Sequence, residues 1–188
     1  MTALILGPNG SGKSAYAEKL AVRLSSARAR DGSHFPCSGT QAGALYYIAT
    51  MLPYGNEGRL RIEKHRRQRE PMGFITVEKP FNVSEIQLPP DAIALLEDVS
   101  NLLSNAMFDI RHIESRESVF TDIAVLCAKC RDLVIVSIDG LAAQQDYSGE
   151  TNDYIRSLDS LNRKLFDMAD MVAQMRGGEA VVVKEVCS

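Results

Sequence analysis

Apolar positions along the chain follow two alternating patterns. Short β-rich runs of four to six residues give way to longer segments in which apolar residues return every three or four positions. The short runs predict strands at Ala3–Leu6, Leu45–Ala49, Gly73–Glu78, Ala92–Glu97, Leu133–Ile138, Met171–Met175 and Ala180–Val183. The longer segments predict helices over Lys13–Leu24, Asn56–Arg69, Asn101–Arg111, Ser115–Lys129 and Asp153–Ala169. In the last of these, Ile155, Leu158, Leu161, Leu165 and Phe166 recur at helical spacing, which marks a core-facing helix. Strands alternating with helices predict an α/β fold of three layers around a mostly parallel sheet. Arg176-Gly177-Gly178 reads as a hairpin turn, so the last strand is expected to be an antiparallel edge.

Between the first helix and the second strand, residues 25–44 are rich in Ser, Ala, Arg and Gly and poor in apolar residues. That composition predicts a flexible surface loop inserted into the domain. The 188 residues, 45% of them hydrophobic, suffice for one substantial core, and no linker divides them, so residues 1–188 are expected to form a single domain. A net charge of −3 gives no global reason to expect nucleic acid or an anionic membrane as partner. The first residues run straight into a strand, and no apolar run approaches the roughly 20 residues of a membrane span, which predicts a cytoplasmic protein. The four cysteines include one C-x-x-C, Cys127 and Cys130. No second such pair accompanies it, and both thiols fall in an apolar-periodic segment, so they are read as packing.

The candidate chemistry begins directly behind the first strand. Gly7-Pro8-Asn9-Gly10-Ser11-Gly12-Lys13-Ser14 fits the pattern G-x-x-x-x-G-K-[ST] at every constrained position. Glycines let backbone N–H groups turn around a phosphate chain, Lys13 supplies a mobile charge for the β and γ oxygens, and the Ser14 hydroxyl is a Mg²⁺ ligand. The helix expected from Lys13 turns its positive end to the same anion. The fold class is therefore narrowed to a P-loop NTPase-like α/β fold with a nucleoside triphosphate as ligand.

In parallel sheets ligands lie at the carboxyl ends of the strands. The strand ending in Glu97-Asp98 brings two carboxylates there, and Glu97 is the favoured partner of Mg²⁺, directly or through water. Asp139, after the fifth strand, is an equal match for a metal role and for a turn-forming Asp. The segment from Arg59 to Arg69 concentrates basic residues around His65 in a mildly acidic chain. A charge run is most simply a solvated helix face. A neutral imidazole is nevertheless a nucleophile toward phosphorus, and neighbouring guanidinium groups disfavour its protonated form while they bind phosphate.

Taken in order, several motifs resemble one family. They are Gly7 to Ser14, Tyr47-Ile48-Ala49-Thr50, Arg61-Ile62-x-x-His65-x-x-x-Arg69, Thr76-x-Glu78, Leu95-Leu96-Glu97 with Asn105, Asn162, and Ala169-Asp170-x-Val172. Their series is similar to that of adenosylcobinamide kinase/adenosylcobinamide-phosphate guanylyltransferase and spans nearly the whole chain. The resemblance implies a bifunctional transferase of cobalamin nucleotide-loop assembly. ATP or GTP would phosphorylate the aminopropanol hydroxyl of adenosylcobinamide; GMP from GTP would then be linked to that phosphate, with release of pyrophosphate, through a guanylyl-histidine. Carried over by position, His65 is the nucleophile. Arg66, Arg67, Gln68 and Arg69 line the guanine nucleotide with Ala49, Thr50, Met51, Glu78 and Glu97. The implied partners are small molecules, a nucleotide and a corrinoid, and the family's tendency to assemble leaves room for a homo-oligomer.

The chain departs from the family at Phe74, where a tryptophan is usual, and at Asp98-Val99-Ser100. The largest departure follows the fifth strand, where Ser137-Ile138-Asp139-Gly140 replaces a longer Gly- and Pro-containing pattern. Two other readings therefore stand beside the bifunctional one: a small-molecule kinase using only Gly7–Ser14 and Glu97, and a nucleotide-binding regulatory protein.

Overall fold

A computed structural model of the protein describes residues 1–28, 43–52, 63, 67, 69–109, 116–141 and 149–186. The strands are β1 (Thr2–Gly7), β2 (Leu45–Ala49), β3 (Phe74–Glu78), β4 (Ile93–Glu97), β5 (Asp132–Ile138), β6 (Met171–Arg176) and β7 (Glu179–Glu185). The helices are α1 (Lys13–Arg28), α2 (Val99–Phe108), α3 (Arg116–Lys129) and α4 (Gly149–Met168), with short 3₁₀ turns at Glu70–Met72 and Val83–Glu85. One seven-stranded sheet runs in the order β3-β2-β4-β5-β1-β6-β7. Only the β6–β7 pair is antiparallel. Its turn residues Gly177 and Gly178 have φ of 58° and 87°, the left-handed geometry a two-residue hairpin needs.

Strand alternation assigns the core to two layers. Leu4, Leu6, Ala94, Leu96, Leu133 and Ile135 face α2, α3 and α4 on one side of the sheet. Ala3, Ile5, Ile93, Leu95, Val134 and Val136 face the other side, where α1 contributes Ala17, Leu20 and Ala21. β1 is buried along its whole length, and β5 up to its last residue, as continuous apolar runs covered on both faces should be. Cys127 and Cys130 pack against the first layer, and burial raises the Cys130 thiol to about 12, which fits a packing role.

The helix boundaries differ from expectation for local reasons. α1 continues past Leu24 to Arg28, and the Ser25 hydroxyl donates to the Gly43 carbonyl at 3.1 Å. Gly43 N–H in turn donates to Asp91 at 3.1 Å, so both ends of the expected loop are tied to the body; residues 29–42 lie outside the described residues. α2 starts at Val99 rather than Asn101, because the Asp98 carboxylate caps it by accepting the Asn101 N–H at 2.8 Å. Of the helix expected over Asn56–Arg69, Glu63, Arg67 and Arg69 are described, and all three are helical.

Candidate active site

β1 delivers the chain to the phosphate loop, and the loop's glycines are required one by one. A Cβ on Gly7 would come within 2.6 Å of Ser11 Oγ and 2.8 Å of Met175 Cβ, so β1 and β6 close on it. Gly10 and Gly12 hold φ of 75° and 85°, conformations that L side chains rarely adopt. The chain then enters α1, with Tyr16 N–H donating to the Gly12 carbonyl at 3.0 Å. Lys13 is buried, and its Nζ donates to the Pro8 carbonyl at 3.4 Å, a long contact that a phosphate oxygen can replace.

From α1 the Ser14 hydroxyl reaches across to β4 and donates to Glu97 Oε1 at 2.6 Å. Glu97 Oε2 is buried with no hydrogen-bond partner among the described residues. Burial and the neighbouring Asp98 charge raise the Glu97 pKa to about 7, against the lowering effects of the Ser14 hydrogen bond and the Lys13 charge. An orphaned carboxylate oxygen beside a serine hydroxyl is the donor set of a hard divalent cation, so Ser14 and Glu97 fit Mg²⁺.

These groups open into a cavity of about 690 Å³. Asn9, Gly10, Lys13 and Ser14 line one part of it; Tyr47, Ala49, Met51 and Arg69 line another, with Glu97 and Asp98 at the end of β4. Arg69 is only 4% exposed, and its guanidinium carbon lies 3.5 Å from the centre of the Tyr47 ring. Its Nε is buried without a partner among the described residues. A polar wall of Ser100, Asn101 and Ser104 from α2 completes the cavity with Tyr154 of α4, whose hydroxyl donates to the Ser100 carbonyl at 3.1 Å. Burial raises the Tyr154 pKa to about 12, so at neutral pH it offers an O–H group.

The residues expected from sequence are thus divided. Asn9, Gly10, Lys13, Ser14, Ala49, Met51, Arg69 and Glu97 line one cavity. Thr50 is fully buried behind its wall, with Oγ1 3.0 Å and 2.8 Å from the carbonyls of Glu97 and Asp98 and accepting the Asp98 N–H at 2.9 Å. Glu78 is exposed at the end of β3 and is not among the lining residues. Arg67 pairs with Glu63 at 2.6 Å and borders a separate cavity of about 420 Å³. Asp139 borders a third, of about 360 Å³, beside α4; burial raises its pKa, and the Lys13 charge counters this. His65, Arg66 and Gln68 lie outside the described residues. No group of three or more metal-binding side chains occurs among the described residues.

Sequence reasoning missed Tyr47, Ser100, Asn101, Ser104 and Tyr154 as cavity residues. Tyr47 carried a signal, since it shares a strand face with Ala49 two positions before the carboxyl end. Tyr154 carried none, because its approach depends on how α4 packs beside α2.

Comparison with known proteins is consistent with this geometry. The sequence description of the family "Cobinamide kinase / cobinamide phosphate guanyltransferase" matches residues 3–183. No relative was found among curated proteins. Among solved structures, the flagellar accessory protein FlaH from Methanocaldococcus jannaschii is similar with a TM-score of 0.51 at 13% identity, over 98% of this chain and 78% of that one. A second solved structure, of an ATPase domain, is similar with a TM-score of 0.50 at 12% identity, over 98% and 76%. Likeness at this identity supports the P-loop NTPase-like fold alone. No helix among the described residues is long and apolar enough to cross a membrane.

Proposed function

Because the chain belongs to the cobinamide kinase / cobinamide phosphate guanyltransferase family, transferases of cobalamin biosynthesis, we propose that it performs both steps on adenosylcobinamide at the cavity described above. In the first step the terminal phosphoryl group of ATP or GTP moves to the aminopropanol hydroxyl. The bond from the γ-phosphorus to the β-bridging oxygen breaks, a bond to the acceptor oxygen forms, and the acceptor's proton leaves to water. The observation that carries this reading is the Ser14–Glu97 contact, which joins the phosphate loop to a carboxylate with an orphaned oxygen.

Each residue has a physical task in that step. The loop N–H groups and Lys13 hold the phosphate chain, and the Lys13–Pro8 contact yields to a phosphate oxygen. Ser14 and Glu97 would hold Mg²⁺, which would supply charge neutralisation at the transferring group. Arg69 adds a second cation within the same cavity.

In the second step His65 attacks the α-phosphorus of GTP, and pyrophosphate leaves. An oxygen of the adenosylcobinamide phosphate then displaces the histidine nitrogen, giving adenosylcobinamide-GDP. Splitting one substitution into two through a nitrogen nucleophile suits a basic environment that binds phosphates. A cytoplasmic location matches the nucleotide substrates.

Incubation of the purified protein with α-labelled GTP and Mg²⁺ tests this. Acid-labile, base-stable label on the wild type, lost in His65→Ala, is the expected result. An unlabelled wild type that still phosphorylates adenosylcobinamide would reduce the function to the kinase step, and nucleotide binding without turnover would leave a regulatory protein.

A further inference from the structure

The cavity holds two cations in different settings. Lys13 belongs to the phosphate loop behind β1, whereas Arg69 is seated on Tyr47 of β2, with β5 and β4 between those strands. Three strand spacings amount to roughly 14 Å across the sheet. The Ser14–Glu97 pair occupies the interval, since Glu97 ends β4 in register with Ala49 of β2. Arg69 therefore stands beyond the metal-binding pair as seen from the loop. A triphosphate held by the loop with its end toward that pair would bring its terminal phosphoryl group, whose oxygens Lys13 also serves, to the Arg69 side.

The state of Arg69 calls for such an anion. Its side chain is almost wholly buried, yet Nε has no partner among the described residues. Glu18 of α1 acts on it only through its charge, which is enough for Arg69 to oppose the burial-driven rise in the Glu18 pKa. What fixes the guanidinium is the ring of Tyr47, itself 4% exposed and held edge-on by Phe74 at 6.0 Å and 84°. A guanidinium seated 3.5 Å over an aromatic ring is held by that ring without using its N–H donors.

We propose that Tyr47 is a positioning residue whose ring presets Arg69 as the receptor for the phosphoryl group in transit, on the acceptor side of Ser14 and Glu97. The assignment rests on the kinase step proposed above. It predicts that the ring face matters and that the hydroxyl does not. It also predicts that Arg69 serves the transfer more than the binding of the nucleotide.

Steady-state turnover of adenosylcobinamide with ATP or GTP, and affinity for the matching nucleoside diphosphate, test this in the full chain. Tyr47→Leu and Arg69→Lys should each lower kcat by roughly tenfold or more while diphosphate affinity stays within about threefold. Tyr47→Phe should stay within about threefold of wild type in both. The Tyr47→Leu/Arg69→Lys double variant should be no worse than the poorer single one, because both remove the same preset cation. Guanidinium ion should restore Arg69→Ala and fail to restore Tyr47→Leu/Arg69→Ala.

If Tyr47→Leu does not fold, Tyr47→Phe, Arg69→Lys and the guanidinium rescue of Arg69→Ala still decide the matter. Loss of kcat in Tyr47→Phe would overturn the proposal, as would multiplicative loss in the double variant, a wild-type kcat in Arg69→Lys, or failure of guanidinium to restore Arg69→Ala. A wild type without turnover would instead refute the kinase step itself.

Discussion

Ser14 and Glu97, 83 residues apart in sequence, meet at 2.6 Å through a single hydroxyl-to-carboxylate hydrogen bond. The bond ties the start of α1 to the end of β4 and leaves Glu97 Oε2, buried and without a hydrogen-bond partner among the described residues, for the cation proposed above. Ser14→Ala should lower turnover by roughly 10²–10³-fold, the range for losing one preorganised electrostatic group in a transferase site. Ser14→Thr keeps the hydroxyl and should retain most activity. Titrating Mg²⁺ in the three proteins checks the assignment: the alanine variant should need more metal for half-maximal rate, and an unchanged Mg²⁺ dependence would refute it.

Glu97 links the same site to pH. Its pKa rises from 4.5 to about 7 on folding, mainly through burial. The folded state therefore binds the proton more tightly than the unfolded chain. Stability from this group is full below about pH 4.5 and is lost as pH rises through about 7. The loss amounts to about 3 kcal/mol at the upper end. In chelator, Glu97→Gln should flatten the fall in stability between pH 5 and pH 8 and be more stable than wild type at pH 8, while losing turnover. Urea denaturation across that range measures it, and parallel pH profiles for the two proteins would count against the buried charge.

The parts of this site that were legible in the sequence are those set by local chemistry. The spacing from Gly7 to Ser14 fixes a loop, and a strand ending in Glu97 places a carboxylate at the ligand edge of a parallel sheet, whatever the rest of the chain does. Arg67 and Arg69 show where that reasoning stops. Both are helical in one basic segment, yet Arg69 is buried against Tyr47 while Arg67 is exposed beside Glu63. The direction of each side chain depends on how the segment lies against β2, and charge patterning carries no such information. Asp98 makes a similar point: beside Glu97 it reads as a second metal-side carboxylate, but its oxygen is used to cap α2 and to accept from Ser100 at 2.6 Å. The antiparallel edge hairpin was legible, since Arg176-Gly177-Gly178 favours a tight turn, whereas the order of the strands depends on contacts distant in sequence.

At Gly7 the constraint is contact rather than conformation. A methyl group there meets Ser11 Oγ at 2.6 Å and Met175 Cβ at 2.8 Å, and the second neighbour is not the free end of a flexible chain. Gly7→Ala should cost roughly 1–3 kcal/mol through overpacking and displace the phosphate loop, weakening nucleotide binding with it. Ser11→Ala in the same chain should recover part of the loss, because it removes the nearer of the two clashing atoms. Thermal unfolding with and without nucleotide measures both effects, and a Gly7→Ala protein of wild-type stability would show that β6 yields more easily than its packing implies.

Thr50 separates a clamp from a contact. The family resemblance places it with the nucleotide-binding residues, whereas its hydroxyl is fully buried and engaged with the backbone of Glu97 and Asp98. Asn105 adds a bond from Nδ2 to the Thr50 carbonyl at 2.8 Å, so β2, β4 and α2 converge on one residue. Valine has nearly the same shape but leaves the Asp98 N–H without its acceptor, which should cost roughly 1–3 kcal/mol. Thr50→Ser restores the hydroxyl and should restore most of that. Measured well below the unfolding transition, nucleotide affinity in Thr50→Val should stay within about threefold of wild type, since the lost bonds face the protein. A tenfold loss of affinity with unchanged stability would reverse the assignment and make Thr50 a ligand contact.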